Sequence, residues 1–215
     1  MNITLEAINY RYDDSSTSHA HAYLLPQVEK LLAKHFQTSS NESKSVFDLG
    51  CGNGSVAAHL TSLGYSLVGV DPSEQGIEQA NQAYPKLTLR IGSAYDKLAD
   101  IYGCFPAVIS LEVVEHVYSP RDYAKTLFDL TKPGGVAIVS TPYHSYLKNL
   151  AMALSGKMDQ HFTVLWDHGH IKFWSFRTLE ILLRQAGFID VTFHRAGRFP
   201  PLAKSMIAVA AKPRG

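Results

Sequence analysis

The sequence predicts an α/β fold, a doubly wound, mostly parallel seven-stranded sheet that ends in an antiparallel C-terminal edge hairpin. Three observations predict it. Short strand-like runs bounded by Gly and Pro alternate with helix-length segments from residue 45 to residue 142. Gly50, Gly52 and Gly54 cluster directly after the first of these runs, where strand passes into helix. The last two runs follow each other with no helix between them, as an antiparallel pair requires.

The elements follow in order. In AYLLPQVEKLLAKHF the apolar residues Leu24, Leu25, Val28, Leu31, Leu32 and Phe36 are spaced for an amphipathic helix, with Pro26 in its first turn. TSSNESKS (38–45) reads as a linker. SVFDLG is a short buried strand, SVAAHLTSLG a helix ending at Gly64, SLVGVD a strand, and SEQGIEQANQAY a helix closed by Pro85. KLTLRIG and AVISLE are strands, PRDYAKTLFDLTK a helix, and GGVAIVSTP a strand. FRTLEILLRQAG is the last helix; FIDVTFHRAG and KSMIAVAAK, joined through RFPPLA, form the hairpin.

Composition narrows the class. A chain of 215 residues that is 46% hydrophobic can bury one sizeable core, so a single domain over 1–215 is expected. Lys+Arg number 20 against 19 Asp+Glu, a net charge of +1, and no basic segment advertises a nucleic-acid partner. Cys51 and Cys104 lack metal or disulfide-framework spacing. The N-terminal MNITLEAINYRYDD lacks the order of a signal peptide, and no apolar run would span a bilayer, so a cytoplasmic location is expected. Nothing in the sequence fixes an oligomeric state.

The glycine loop discriminates between ligands. A dinucleotide fingerprint, G-x-G-x-x-G, would need glycine at position 55, where this chain has Ser55. It has instead G-x-G-x-G preceded by Asp48. Asp71, ending LVGVD, lies about 20 residues beyond the first glycine, where an acid can accept both hydroxyl protons of a ribose. The plainer role for Asp71 is to cap the helix that follows.

The run VFDLGCGNG, LVGVDPS, GSAYD, VISLEVVEHV and LTKPGGVAIVSTP resembles the class I S-adenosylmethionine-dependent methyltransferases, over roughly residues 45–142. It looks closest to their ubiquinone-biosynthesis O-methyltransferase branch. The resemblance implies S-adenosyl-L-methionine as cofactor, with Asp48, Gly50, Gly52 and Asn53 along its methionine part. Asp71 and the adjoining Pro72 would lie at the ribose, Ser93 and Ala94 beside adenine, and Leu111 near the methionine end. His21 and Tyr23 would close the site from the N-terminal helix; capping or packing is the other role open to them. On this basis the chain divides into a helical cap (1–44), a cofactor-binding core (45–142), a lid insert (143–176), and the last helix with the edge hairpin (177–215).

The stretch LEVVEHV places Glu112, Glu115 and His116 at i, i+3 and i+4, one face of a helical turn beyond strand four. Two carboxylates and an imidazole suit Mg, Mn, Fe, Zn or Co and leave positions for substrate oxygens. In DHGHIKFW, His168 and His170 would fall on the same side of an extended backbone and could complete the set. The spacing is similar to the E-x-x-E-H motif of small-RNA 2′-O-methyltransferases, completed by a histidine four residues before a tryptophan. That rule selects His170, with Trp174 after it. A metal-assisted O-methyltransferase of a small catechol-like or polyhydroxylated acceptor is the expectation, with Glu115, His116 and His144 as the groups nearest the chemistry.

Three other readings stay open. A metal-free N-, C- or O-methyltransferase would use His116 or His144 as its base. A quinol O-methyltransferase would make weak contact with a membrane surface through the apolar lid, although YRYDDSSTSHAHAY departs from the ubiquinone enzymes. A cofactor-binding module without catalysis would regulate a partner. The RNA enzymes imply a basic surface, which this balanced chain lacks.

Overall fold

The computed structural model describes residue 15 and residues 19–38, 43–162, 165, 169–198 and 202–215. Helix α1 (His19–Thr38) precedes β1 (Ser45–Leu49), α2 (Ser55–Ser62), β2 (Ser66–Asp71), α3 (Glu74–Ala83), β3 (Thr88–Ile91), α4 (Leu98–Tyr102) and β4 (Phe105–Leu111). Then come α5 (Pro120–Leu130), β5 (Thr131–Pro142), α6 (Tyr146–Leu154), α7 (Met158–Phe162), α8 (Phe176–Gln185), β6 (Ile189–Ala196) and β7 (Ser205–Ala211). The strands form one sheet in the order β3-β2-β1-β4-β5-β7-β6. Pairs among β1 to β5 are parallel, whereas β7 runs antiparallel to both β5 and β6.

Side-chain alternation along the strands explains the double winding. Val46 and Ile109 point into a cluster with α1, α2 and α3 through Leu24, Val28, Leu60 and Ile77. Phe47, Leu49 and Val108 point the other way, onto Leu98 of α4, Tyr123 and Leu127 of α5, and Leu179 and Leu183 of α8. The hairpin is arranged by polarity: the apolar β7 is mostly buried and lies inside the sheet, while the more polar β6 forms the edge.

Sequence and structure differ in several places. Helix α1 begins at His19, so Pro26 lies inside it rather than in its first turn. Pro26 offers no N–H to the carbonyl of Ala22, and both residues are exposed, where water can take the bond. Two short helices, α4 and α7, had no counterpart in the sequence reading. β5 starts at Thr131, upstream of the two glycines, with a register irregularity against Phe105 and Ala107. The segment carrying Glu112, Glu115 and His116 is not helical: it is a loop with one tight turn, closed by the His116 N–H to the Val113 carbonyl at 2.9 Å. The RFPPLA turn is described only at Arg198, Leu202 and Ala203.

Candidate active site

Strand order reverses between β1 and β4, and the crevice beyond their carboxyl ends is where ligands of such sheets bind. The loop leaving β1 is shaped by glycine. Gly50, Gly52 and Gly54 have φ of 94°, 52° and 76°, in the region L side chains avoid. Space is short as well: a Cβ on Gly50 would lie 2.4 Å from Val113 Cγ2, and one on Gly54 would lie 2.6 Å from Leu89 Cδ1.

Asp71 ties this loop to the end of β2. Its Oδ2 accepts the Gly52 N–H at 2.9 Å and its Oδ1 the Ser73 N–H at 2.8 Å. Ser73 itself caps α3, accepting from the Gly76 N–H at 3.1 Å. Burial pushes the Asp71 carboxyl up to about 6, against the pull of its two N–H partners. Asp48 is pushed further, to about 8, by burial and then by the Asp71 charge. Its Oδ2 has no hydrogen-bond partner.

All residues assigned above to the cofactor line one cavity of about 550 Å³: His21, Tyr23, Asp48, Gly50, Gly52, Asn53, Asp71, Pro72, Ser93, Ala94 and Leu111. Its size falls in the range of small-molecule sites. Glu112, His116, His170, Lys204 and Ser205 line the same space.

The acidic loop reaches this cavity by a route that helical spacing does not describe. Glu112 has φ 55°, an uncommon conformation for a residue other than Gly, Asn or Asp. It turns toward β5 and β7, where Ser140 Oγ donates to Oε1 at 2.8 Å and Ser205 Oγ to Oε2 at 3.4 Å. The Tyr23 hydroxyl lies 2.9 Å from Ser205 Oγ, extending the network to α1. Burial lifts the Glu112 carboxyl to about 7, less than it would without the two serines.

Glu115, His116 and His170 come together beside it. One ligand atom from each lies within 4.8 Å of the others, and Glu115 Oε1 is 3.9 Å from His170 Nε2. Glu115 is 1% exposed, and neither carboxyl oxygen makes a hydrogen bond of good geometry, although the Thr141 hydroxyl is near enough to favour its charged form. Burial raises its pKa well above the ordinary range, and the Glu112 charge adds to that. Burial lowers His170 to about 4, helped by His116 and His161, so its ring is neutral at pH 7, as a ligand must be.

Backbone bonds hold the group in place. The Ile171 and Lys172 N–H groups both donate to the Glu115 carbonyl at 3.0 Å. The Trp174 indole N–H donates to the Val114 carbonyl at 3.0 Å. His116 Nδ1 lies 3.1 Å from the Gly169 carbonyl, which can only accept, so Nδ1 carries the proton of that bond. A tryptophan four residues after His170 therefore has a geometric role: it pins the 169–174 segment onto the acidic loop.

The other sequence candidates lie elsewhere. His144 packs edge-on against Phe173 and His161, at centroid distances of 5.1 and 5.4 Å, and does not line the cavity. Burial, then Lys148, lowers its pKa to about 4. His168 lies outside the described residues. Ser140, Ser205, His161 and Tyr95 were not singled out in the sequence. Tyr95 lines the cavity while its hydroxyl accepts the N–H groups of Tyr118 and Ser119 at 2.8 and 3.2 Å. Only its place two residues after Ser93 could have drawn attention to it.

A buried carboxyl group and two imidazoles whose ligand atoms lie within 4.8 Å of one another are a donor set that fits a divalent cation. Among the described residues no other group of His, Cys, Asp and Glu has that arrangement.

Comparison with known proteins agrees with the fold. The model of a methyltransferase domain family matches residues 17–192. The chain is 33% identical over 129 residues to a ubiquinone biosynthesis O-methyltransferase of Caulobacter vibrioides, covering 58% of this chain and 50% of that one. It is 30% identical over 174 residues to the protein of the same name from Azorhizobium caulinodans, covering 75% and 67%. The chain thus spans about half to two thirds of the length of these curated relatives. Its fold matches the magnesium protoporphyrin IX methyltransferase of Synechocystis PCC 6803 with bound SAH, at a TM-score of 0.64 and 19% identity over 87% of this chain and 82% of that one.

Proposed function

The chain belongs to the methyltransferase domain family and is an S-adenosylmethionine-dependent methyltransferase, and from that premise we propose that it methylates an oxygen of a small, catechol-like or polyhydroxylated acceptor with a divalent metal held by Glu115, His116 and His170. The observation that carries the reading is Glu115: a carboxyl group 1% exposed, clustered with His116 and His170, two histidines that line the cofactor cavity. The names of the relatives support transfer to oxygen.

The protein's part is positional. The sulfonium methyl of the cofactor is already activated, so the chain must bring nucleophile and methyl into line and exclude water. In this reading Asp48 and the glycine loop hold the methionine part, Asp71 the ribose, and the 92–95 loop the adenine. His21 and Tyr23 cover the cavity from α1. A bound divalent metal supplies Lewis acidity, lowering the pKa of an acceptor hydroxyl and fixing its direction. Glu112, its pKa raised to about 7 by burial in its serine cradle, would receive the proton that the hydroxyl gives up. Ser205 and Tyr23 link that carboxyl toward α1.

The test is Glu115→Gln. It should lose metal binding, measured as the absence of metal-induced thermal stabilisation, and should lose methyl transfer, while cofactor affinity stays within a few-fold. Full activity in Glu115→Gln would sink the metal reading and leave a base such as Glu112 or His144.

One observation favours a second reading, a quinol acceptor met at a membrane surface. Helix α6 buries no residue, and Tyr146, Leu147 and Leu154 are 79%, 62% and 80% exposed. No described helix is long and apolar enough to cross a membrane. Cosedimentation with neutral phospholipid vesicles that depends on Leu147 and Leu154 would support this reading, and no binding would remove it.

A further inference from the structure

The acidic loop, residues 112–119, is held at three places. At its start the Glu112 N–H donates to the Ser140 carbonyl at 3.2 Å and to Ser140 Oγ at 3.0 Å. In its middle the 169–174 segment binds it through the Val114 and Glu115 carbonyls. Its end is held by a phenol: the Tyr95 hydroxyl accepts the Tyr118 N–H at 2.8 Å and the Ser119 N–H at 3.2 Å. Ser119 is the N-cap of α5 and makes no side-chain cap bond, so Tyr95 also serves the start of that helix.

Tyr95 differs from the other two anchors in where it comes from. It lines the cavity, in the 92–95 loop that the proposed binding mode gives to adenine. A tight turn fixes its backbone: its N–H donates to Ser93 Oγ at 3.2 Å, and the Asp96 N–H donates to the Ser93 carbonyl at 3.0 Å. Its side chain is 44% exposed, so a flat base packed on the ring would bury it and fix its hydroxyl. From there the contacts run back to Glu115. The Lys172 ammonium stands 5.6 Å over the Tyr118 ring, and the Lys172 N–H donates to the Glu115 carbonyl at 3.0 Å.

We infer that Tyr95 is a positioning residue that couples the cofactor end of the cavity to the Glu115, His116 and His170 group. A base bound on the 92–95 loop fixes the phenol, and the phenol fixes the 118–119 end of the loop that carries Glu115 and His116. This rests on the cofactor placement and the metal site proposed above. Ordering the loop costs free energy once, and the ligand that binds first bears that cost for both, so cofactor and metal each tighten the other by the same factor. In Tyr95→Phe water can take the two N–H groups, since Tyr118 is exposed and Ser119 half-buried, so the fold survives while the coupling is lost.

The experiment measures amide hydrogen exchange over residues 113–119 and calorimetric Mn²⁺ affinity, each with and without saturating S-adenosylhomocysteine, in the unaltered protein and in Tyr95→Phe. S-adenosylhomocysteine should slow exchange at Tyr118 and Ser119 by about tenfold or more in the unaltered protein, and by less than about twofold in the variant. It should tighten Mn²⁺ binding by about fivefold or more, and by less than about twofold in the variant. A merely structural tyrosine would change stability or both affinities and leave the coupling factor as it was. Exchange that ignores the cofactor, or slowing and Mn²⁺ coupling that survive Tyr95→Phe, would overturn the inference and leave the metal reading standing. Loss of S-adenosylhomocysteine binding in the variant would overturn it too, because the hydroxyl would then serve the cofactor directly. If Mn²⁺ binds neither protein, the metal reading falls and the exchange result alone decides. Slowing that needs the Tyr95 hydroxyl keeps the link from cofactor to loop, and its absence removes it.

Discussion

Asp48 shows how one buried side chain can make cofactor binding depend on pH. Its carboxyl, at about 8, is largely protonated at pH 7, with Asp71 as its charged neighbour and one oxygen unpartnered. In the proposed binding mode the cationic methionine moiety would lie beside it and favour the ionised form, so binding should release a proton. Affinity for S-adenosylmethionine should therefore rise severalfold from pH 6 to pH 8, and Asp48→Asn should flatten that slope; calorimetry in buffers of different ionisation enthalpy reads both. Stability runs the opposite way. The folded state keeps a proton that the unfolded chain loses near pH 4, so Asp48 makes the protein less stable as pH rises from about 4 to about 8, after which the loss levels off. Gly50 is the other sensitive position. Gly50→Ala combines a φ of 94° with a Cβ 2.4 Å from Val113, and urea unfolding should show a loss of roughly 2–4 kcal/mol.

At the scale of elements, the site depends on two irregular segments that meet, the 112–119 loop and the 169–174 strap. Trp174→Phe keeps the ring in the core but leaves the Val114 carbonyl without its donor. It should cost about 1–3 kcal/mol in unfolding and weaken metal affinity by roughly tenfold. Isothermal titration with Mn²⁺ checks the second effect, and a variant that binds metal normally would mean that the strap does not position the histidines. Irregularity also explains what the sequence reading missed. Helical spacing joined Glu112 to Glu115 and His116 on one face, whereas the left-handed backbone at Glu112 sends its side chain to Ser140 and Ser205. Nothing in the local pattern announces that conformation, because the serines that hold it lie 28 and 93 residues away. The regular elements were readable because their signals are local: β-branched runs, glycine stops and amphipathic spacing. Pro26 misled because its solvent position, which lets a helix run through it, is a tertiary fact.

At the scale of the whole molecule, the sheet gathers its distant parts at one crevice. The glycine loop, Asp71, the 92–95 loop and the acidic loop all leave carboxyl ends of parallel strands, so their order along the chain already implied a common site. The strap does not follow from strand order; it arrives through the insert between β5 and α8. The central claim is therefore about what the insert completes. The measurement that tests it most directly is transfer from methyl-labelled S-adenosylmethionine to 3,4-dihydroxybenzoate by chelator-treated protein, with and without each divalent metal restored. Transfer that disappears on chelation, returns with metal, and stays absent in His170→Ala is the predicted result. Transfer that is indifferent to chelator and intact in His170→Ala would contradict it.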